Sequence, residues 1–396
     1  MPMNSRHASR FWSLLLIPLL ASLSYGDDIA DSLEQLRKVG PEGEGNVEAA
    51  AAWNSLTEQG ATIVLPTLES MEGASPLARN WMRTAVETVF DRAEKEGAEI
   101  PADGLEEFVL DRKKDPNARH LAFELFSRLS PEKAATLVPG MLDDPSTPLR
   151  RGAVAELLNA GKKAIAGENR EEAITTLTKA LDAARDVDQI GEIAKLLRQD
   201  LEQEVDLPKH FGFLMHWHLI APFDNTDRKG FDTVFPPEEV INLDAGYKGK
   251  GDDEIAWQEY ATSDDYGMVD FNKPFGPLKQ VTGYGYTEFQ SAEDRPAQLR
   301  LGCKNAWKIW FNGELVFGRD EYHRGIRIDQ YILPVNLKKG RNTILVKCCQ
   351  NEQEQDWTVQ WQFQLRVCDS TGTAILSTDR KPTPKPETAT RRRPAN

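Results

Sequence analysis

Near Pro208 the hydrophobic pattern of this chain changes period, and that change limits the fold more than any single motif does. Before it, apolar residues recur at helical spacing, broken by Gly, Pro and Asp roughly every 30 to 40 residues. After it, apolar and polar residues alternate, the pattern of strands with one buried face. Such a chain is multidomain, with an α part followed by an antiparallel β part. The boundary is predicted at 205–211.

The helical part repeats itself. "PLAR" at 76–79, "PNAR" at 116–119 and "PLR" at 148–150 each open an apolar stripe. Met82, Ala122 and Ala153 stand one helical turn past the arginines, and Val86, Phe126 and Leu157 stand two turns past, which is one helix face. "DDPSTPLRRGAVAELL" resembles the HEAT-repeat pattern, in which Asp-Pro ends one helix and a basic residue starts the next. Farther on, "NREEAITTLTKALDAARD" and "DQIGEIAKLLRQDLEQEV" are similar to a tetratricopeptide hairpin, with Ala173, Leu177, Ala180 and Leu181 as small packing residues. The resemblance implies an α-solenoid of HEAT-like hairpins over 27–205, whose extended surface would serve a protein partner.

In the β part, "QLRLGC" turns Leu299, Leu301 and Cys303 inward, and "NTILVKC" does the same for Ile344, Val346 and Cys348. "WTVQWQFQLRV" is predicted to be a strand with Trp357, Val359, Trp361, Phe363, Leu365 and Val367 on its core face. In "WKIWFNGELVF", Asn312-Gly313 is a strong hairpin signal, because a type I′ turn needs positive φ at both central residues. Trp307, Ile309 and Phe311 then share one face, and Lys308 and Trp310 the other.

That hairpin, followed by "LPVNLKKGRNTILVKC", resembles the galactose-binding-like jelly roll, the sugar-binding sandwich of family 2 glycoside hydrolases. The opening "HWHLIAPFDNTD" looks like the start of such sandwiches in exported bacterial proteins. The resemblance implies an antiparallel jelly-roll β-sandwich over 211–372 and a glycan ligand. Trp310, Trp257, Tyr284 and Tyr286 are the aromatic residues that could face a sugar. Asp224, Asn225, Asp227 and Asp232 form an oxygen-rich loop that could hold calcium, although their spacing matches no EF-hand. His216 and His218 supply two ligands of the three or four that zinc needs.

The remaining features set context. Arg6 and Arg10 precede the apolar run Phe11–Leu23 and small residues up to Gly26, a signal-peptide layout over 1–26 that predicts a periplasmic or secreted chain. That run is too short to cross a hydrocarbon core about 30 Å thick, so no stable span is expected after cleavage. With 62 acidic and 48 basic residues the net charge is −14, which opposes nucleic-acid binding. The Pro/Thr/Arg-rich segment 373–396 has no apolar periodicity and is predicted to be a disordered basic tail. None of the four cysteines sits in a CxxC spacing; Cys303 and Cys348, both turned inward, are the one pair a disulfide could join, and buried free thiols packing as small apolar groups are the favoured reading.

No GxSxG, P-loop, HExxH or dinucleotide fingerprint occurs. The sequence therefore predicts a non-enzymatic binding or scaffold protein without a resident cofactor. The alternative is a glycoside hydrolase with carboxylates drawn from Asp252, Asp253, Glu254, Asp264 and Asp265.

Overall fold

In the computed structural model, residues 19–385 are described, and they form two compact units that part between Ala153 and Val154. The signal-like segment before Leu19 and the Arg391–Arg393 run lie outside the described residues. Among the described residues, no helix is long and apolar enough to cross a membrane.

The first unit contains α1 (Leu19–Arg37), α2 (Asn46–Glu58), α3 (Val64–Ser70), α4 (Pro76–Glu96), α5 (Ala102–Leu110), α6 (Pro116–Leu129), α7 (Pro131–Leu137) and the start of α8 (Thr147–Ala166). Its core includes Met82, Val86, Ala122, Phe126 and Ala153 of the stripe seen in the sequence, together with Leu121 and Leu125, whereas Leu157 is only half-buried. The repeated arginine has a mechanical task. Arg79, Arg119 and Arg150 each send Nε to a carbonyl left free at or beyond the end of an earlier helix, those of Ala74, Val109 and Asp144, at 2.9 Å in every case. Asp115 caps α6 through its own first turn and stands 3.8 Å from Arg79, while Asp144 holds Arg119 at 2.7 Å. The Arg–Asp spacing thus links each hairpin to the next.

The second unit takes in the end of α8, then α9 (Arg170–Ala183), α10 (Val187–Lys195), α11 (Leu207–Phe211) and all the strands. These helices belong with the sheets because side chains tie them there. Arg198 pairs with Asp265 at 2.6 Å, Arg185 reaches the Thr373 hydroxyl at 2.9 Å, and the Phe211 carbonyl accepts from Arg366 at 3.0 Å. The compact division therefore falls about 50 residues before the change of period that the sequence places at 205–211.

The strands are β1 (His216–Asp224), β2 (Gly246–Lys248), β3 (Glu254–Ala256), β4 (Gln258–Ala261), β5 (Val269–Asp270), β6 (Val281–Ser291), β7 (Arg295–Cys303), β8 (Ala306–Phe311), β9 (Glu314–Arg319), β10 (Tyr331–Leu337), β11 (Gly340–Gln350) and β12 (Gln362–Cys368). One sheet has the order β4-β1-β6-β11-β8-β9 and the other β10-β7-β12-β5, with every pairing antiparallel. Trp217, Leu219, Leu299, Leu301, Ile309, Val346, Phe363 and Leu365 share the core between the sheets. In β6 the alternation has a second purpose. A Cβ at Gly283 would meet Phe271 and Trp361 at 2.8 Å, so glycine turned inward lets the opposite sheet approach while Tyr284 and Tyr286 turn outward.

The structure changes two sequence expectations here. β11 and β12 lie in different sheets, so the chain between them must cross the thickness of the core, on the order of 10 Å. Residues 351–361 are used in that crossing, and Trp357 and Val359 leave the predicted strand; Trp357 sits on a 3₁₀ turn and is 56% exposed. The predicted disordered tail is also corrected over 373–385. Gln290 N donates to Ser377 at 2.8 Å, Arg380 donates to Phe213 O at 2.8 Å, and Thr383 donates to Asp206 at 2.9 Å, so this strap is held along its length.

Outside the four-stranded sheet, Asp329 accepts from Arg366 at 2.6 Å and from Arg300 at 2.8 Å. Burial alone would raise the Asp329 carboxyl, but the two guanidinium groups hold it below its usual value of 3.8. A lowered native value stabilises the fold above the unfolded value, and that stabilisation is lost as pH falls through it. Stability is thus expected to fall as pH drops below about 4 in urea titrations, with a shallower drop in Asp329→Asn. In the first unit, Asp144→Ala leaves Arg119 buried and unpaired and is expected to cost about 3–5 kcal/mol in the same measurement.

Candidate functional site

The four aromatic residues singled out in the sequence do come together. Trp257, Tyr284, Tyr286 and Trp310 form one layer on the outer face of the six-stranded sheet, with Ile220, Phe223 and Leu345. They are not open to a ligand, since Phe235, Ile241, Leu243 and Tyr247 pack over them and Trp310 is only 8% exposed. A buried ion pair fastens that cover. Lys347, fully buried, donates to Glu238 at 2.7 Å and to the Thr233 carbonyl at 2.8 Å, and Tyr284 donates to the same carboxylate. Burial pushes the Lys347 ammonium down and the Tyr284 phenol up. Trp310 is packing.

The oxygen-rich loop does not converge. Asp224 meets Lys250 at 3.2 Å, Asp227 meets Lys229 at 3.0 Å and Asp232 lies 3.7 Å from Lys308, while Asn225 turns inward to the Gln350 carbonyl at 2.9 Å. Three carboxylates facing three different ammonium groups do not form a cation cage. No cluster of three metal-ligating side chains occurs among the described residues. Several candidate carboxylates are already engaged: Asp265 is bonded to Arg198, Asp264 accepts from the Tyr266 and Met268 backbone at 2.9 and 3.2 Å, and Asp252 lies 3.5 Å from Lys248.

His216 and His218 both line a cleft of about 470 Å³, together with Glu259, Tyr260, Glu288 and the strap residues Asp379 to Lys381. The Nε2 of His216 lies 3.3 Å from the Pro382 carbonyl, and Arg341 at 2.6 Å with the Tyr286 hydroxyl at 2.8 Å satisfies Glu288.

The opposite end of the strands presents what the sequence reading missed, an exposed indole on a fixed base. Lys304 donates to the Trp357 carbonyl at 2.6 Å and to Gln360 at 2.8 Å. Lys279 reaches the Thr358 carbonyl at 3.0 Å, and buried Gln350 reaches it at 2.9 Å. The Thr358 hydroxyl closes the turn onto the Gln353 and Gln355 carbonyls at 2.8 and 2.7 Å. His323 sets its ring edge against Trp357, centroids 5.3 Å apart, and its Nε2 lies 2.9 Å from Asn351 Oδ1. Burial favours the neutral ring and keeps the His323 imidazole below its ordinary value, against the opposing pull of that hydrogen bond. Gln355, Asp356 and Gln360, near Trp357 along the chain, are exposed as well. The available signal was the aperiodic polar run "QNEQEQD" before Trp357, too long for a tight hairpin.

No protein family and no curated protein matches this sequence. Among solved structures, the chain is similar to a selenomethionine-labelled β-glucosidase from Kluyveromyces marxianus, with 14% identity and a TM-score of 0.24 over 38% of this chain and 16% of that one. The same β-glucosidase in complex with glucose gives 15% identity, the same coverage and a TM-score of 0.24. A GH31 α-xylosidase from Xanthomonas citri gives 11% identity and a TM-score of 0.20 over 40% of this chain and 16% of that one. The chain thus spans about a sixth of the length of these structures. Glycoside hydrolases among the structural neighbours overturn the expectation of a non-enzymatic chain. At such TM-scores the likeness carries nothing about substrate or mechanism.

The two tryptophans are expected to behave differently on truncation. Trp310→Ala should cost about 3–5 kcal/mol in chemical denaturation, because it empties a packed layer. Trp357→Ala should stay within about 0.5 kcal/mol, because the turn is held by other side chains and by the backbone.

Proposed function

We propose that the second unit recognises a saccharide at its loop end, with the Trp357 indole as the stacking face. The observation that carries this reading is the combination of exposure and fixation: a large apolar ring stands in water while its turn is tied by Lys304, Lys279, Gln350 and Thr358. A ring held in this way loses little freedom when a ligand arrives. One face of a pyranose is a set of C–H groups that suits an indole, and its hydroxyls suit the exposed carboxylate of Asp356 and the amides of Gln355 and Gln360.

The unit's two facing antiparallel sheets and its Asn312-Gly313 hairpin support reading it as a galactose-binding-like jelly roll. The Arg–Asp links between hairpins support reading the first unit as a HEAT-like solenoid that offers a surface to a protein partner. The signal-like N-terminus supports a location outside the cytoplasm, where polymeric glycans are available.

The test is affinity electrophoresis of the full chain against a panel of soluble polysaccharides, with reducing-end release followed in parallel. Retardation by at least one polymer, weakened about tenfold or more in Trp357→Ala and unchanged in Leu315→Ala, is the expected result. Retardation that Trp357→Ala leaves intact would remove the site, and no retardation by any polymer would remove the saccharide reading.

A further inference from the structure

The two sheets of the second unit bring a cysteine each to the same point of the core. Cys303 ends β7 in the four-stranded sheet, and Cys348 stands near the end of β11 in the six-stranded sheet, 45 residues farther along the chain. Their Sγ atoms lie 3.9 Å apart, and both side chains are buried. Facing sheets ordinarily sit about 10 Å apart, and a glycine explains the closer approach here. Gly283 is the ladder partner of Cys348, and a Cβ on it would meet Phe271 and Trp361, which adjoin β5 and β12, at 2.8 Å. The missing side chain lets the sheets draw together beside Cys348.

The other two cysteines are placed elsewhere. Cys349 turns to the opposite face of β11, where the Thr282 hydroxyl donates to its Sγ at 3.4 Å. Cys368 lies five residues beyond Phe363, the ladder partner of Cys303, which is about 16 Å along the strand. One pairing is therefore within reach. In the free thiols seen here, Cys303 makes only weak sulfur contacts with the Asn305 and Gln362 carbonyls at 3.5 Å, so little is given up when the sulfurs close to a bond of about 2.05 Å.

We propose that Cys303 and Cys348 are a cross-linking site, joined by a disulfide that fastens the two sheets to each other. The site does not depend on the saccharide reading. The oxidant is another disulfide, glutathione disulfide or that of a thiol–disulfide oxidoreductase. One cysteine thiolate attacks it, forms a mixed disulfide and releases one oxidant thiol; the other cysteine then attacks the protein sulfur of that mixed disulfide and releases the second. Two protein S–H bonds and one oxidant S–S bond become one protein S–S bond and two oxidant S–H bonds, so the protein is oxidised by two electrons and the oxidant is reduced by two. The exchange comes before the core closes, because no oxidant reaches a sealed sulfur and burial pushes the Cys348 thiol up, away from the reactive thiolate. After closure the same burial shields the bond from reductants. Lys304 follows Cys303 and Gln350 stands two residues past Cys348, so the link anchors both strands that hold the Trp357 turn.

Oxidative refolding of the full chain tests this. The chain is unfolded under reduction and refolded with glutathione disulfide or, in parallel, with reduced glutathione alone; free thiols are then alkylated in denaturant and the mass is read. Refolding with the disulfide is expected to leave two alkylated cysteines, Cys349 and Cys368, and the reduced arm four. Fragmentation between Cys348 and Cys349 should place the bond on Cys348, joined to the peptide that holds Cys303. Cys349→Ser should keep the bond and Cys303→Ser should lose it. Four alkylated cysteines after refolding with glutathione disulfide overturn the proposal, as do glutathione adducts without an internal bond, or a bond through Cys349 or Cys368. If Cys303→Ser does not fold, the fragmentation of the unaltered chain decides by itself.

Discussion

Much of the second unit's loop end rests on a few buried amides. Gln350, at the end of β11, donates to the Thr358 carbonyl at 2.9 Å and accepts from Asn305 at 3.1 Å. Asn305 also takes the Gln362 backbone N–H at 3.2 Å and reaches the Gln360 carbonyl at 3.1 Å, so the start of β12 is fixed from the opposite sheet's side of the core. Asn225 closes the arrangement onto the Gln350 carbonyl at 2.9 Å. Amides suit this position because each offers two donors and an acceptor, enough to satisfy irregular backbone that no ladder serves. The same bonds that let the chain cross between sheets also hold Trp357 in water. Crossing and presentation are one structural solution.

Legibility in the sequence followed locality. The helix stripe of Met82, Val86 and Phe126 was readable because spacing along a helix is fixed by its own geometry. Asn312-Gly313 was readable because only a few residues accept positive φ, and the two here have φ of 52° and 84°. The grouping of Tyr284, Tyr286 and Trp310 on one face also follows from alternation, whereas Trp257 joins them from between β3 and β4. What covers that face does not, because the cover comes from segment 225–257, whose docking depends on the buried pair Lys347 and Glu238. Trp357 was misplaced for a related reason. Alternation continues through "WTVQW" although the strand begins only at Gln362, and nothing local marks a crossing between sheets.

The ordered strap shows the same limit from the other side. A Thr-, Pro- and Lys-rich segment lacks the apolar surface to fold by itself, and its composition reads as disorder. Here it borrows order from backbone groups of finished strands and loops, through Gln290, Phe213 and the side chain of Asp206. Because the strap forms one wall of the 470 Å³ cleft, that cavity exists only once the rest of the unit has folded.

The two ends of the sheets also differ in how they leave polar groups. At the Trp357 end, Lys304, Lys279 and Gln350 spend donors on the backbone of the turn, His323 Nδ1 is buried without a partner, and the exposed face is apolar. At the cleft end, Arg380 Nη2 is buried without a partner, and what is left unmet is hydrogen-bonding capacity. A fixed apolar face gains from contact with another apolar face, whereas an unsatisfied guanidinium gains from an acceptor. Opposite ends of one pair of sheets therefore offer different chemistry, because the strands deliver irregular chain to both ends and each end satisfies its polar groups in its own way.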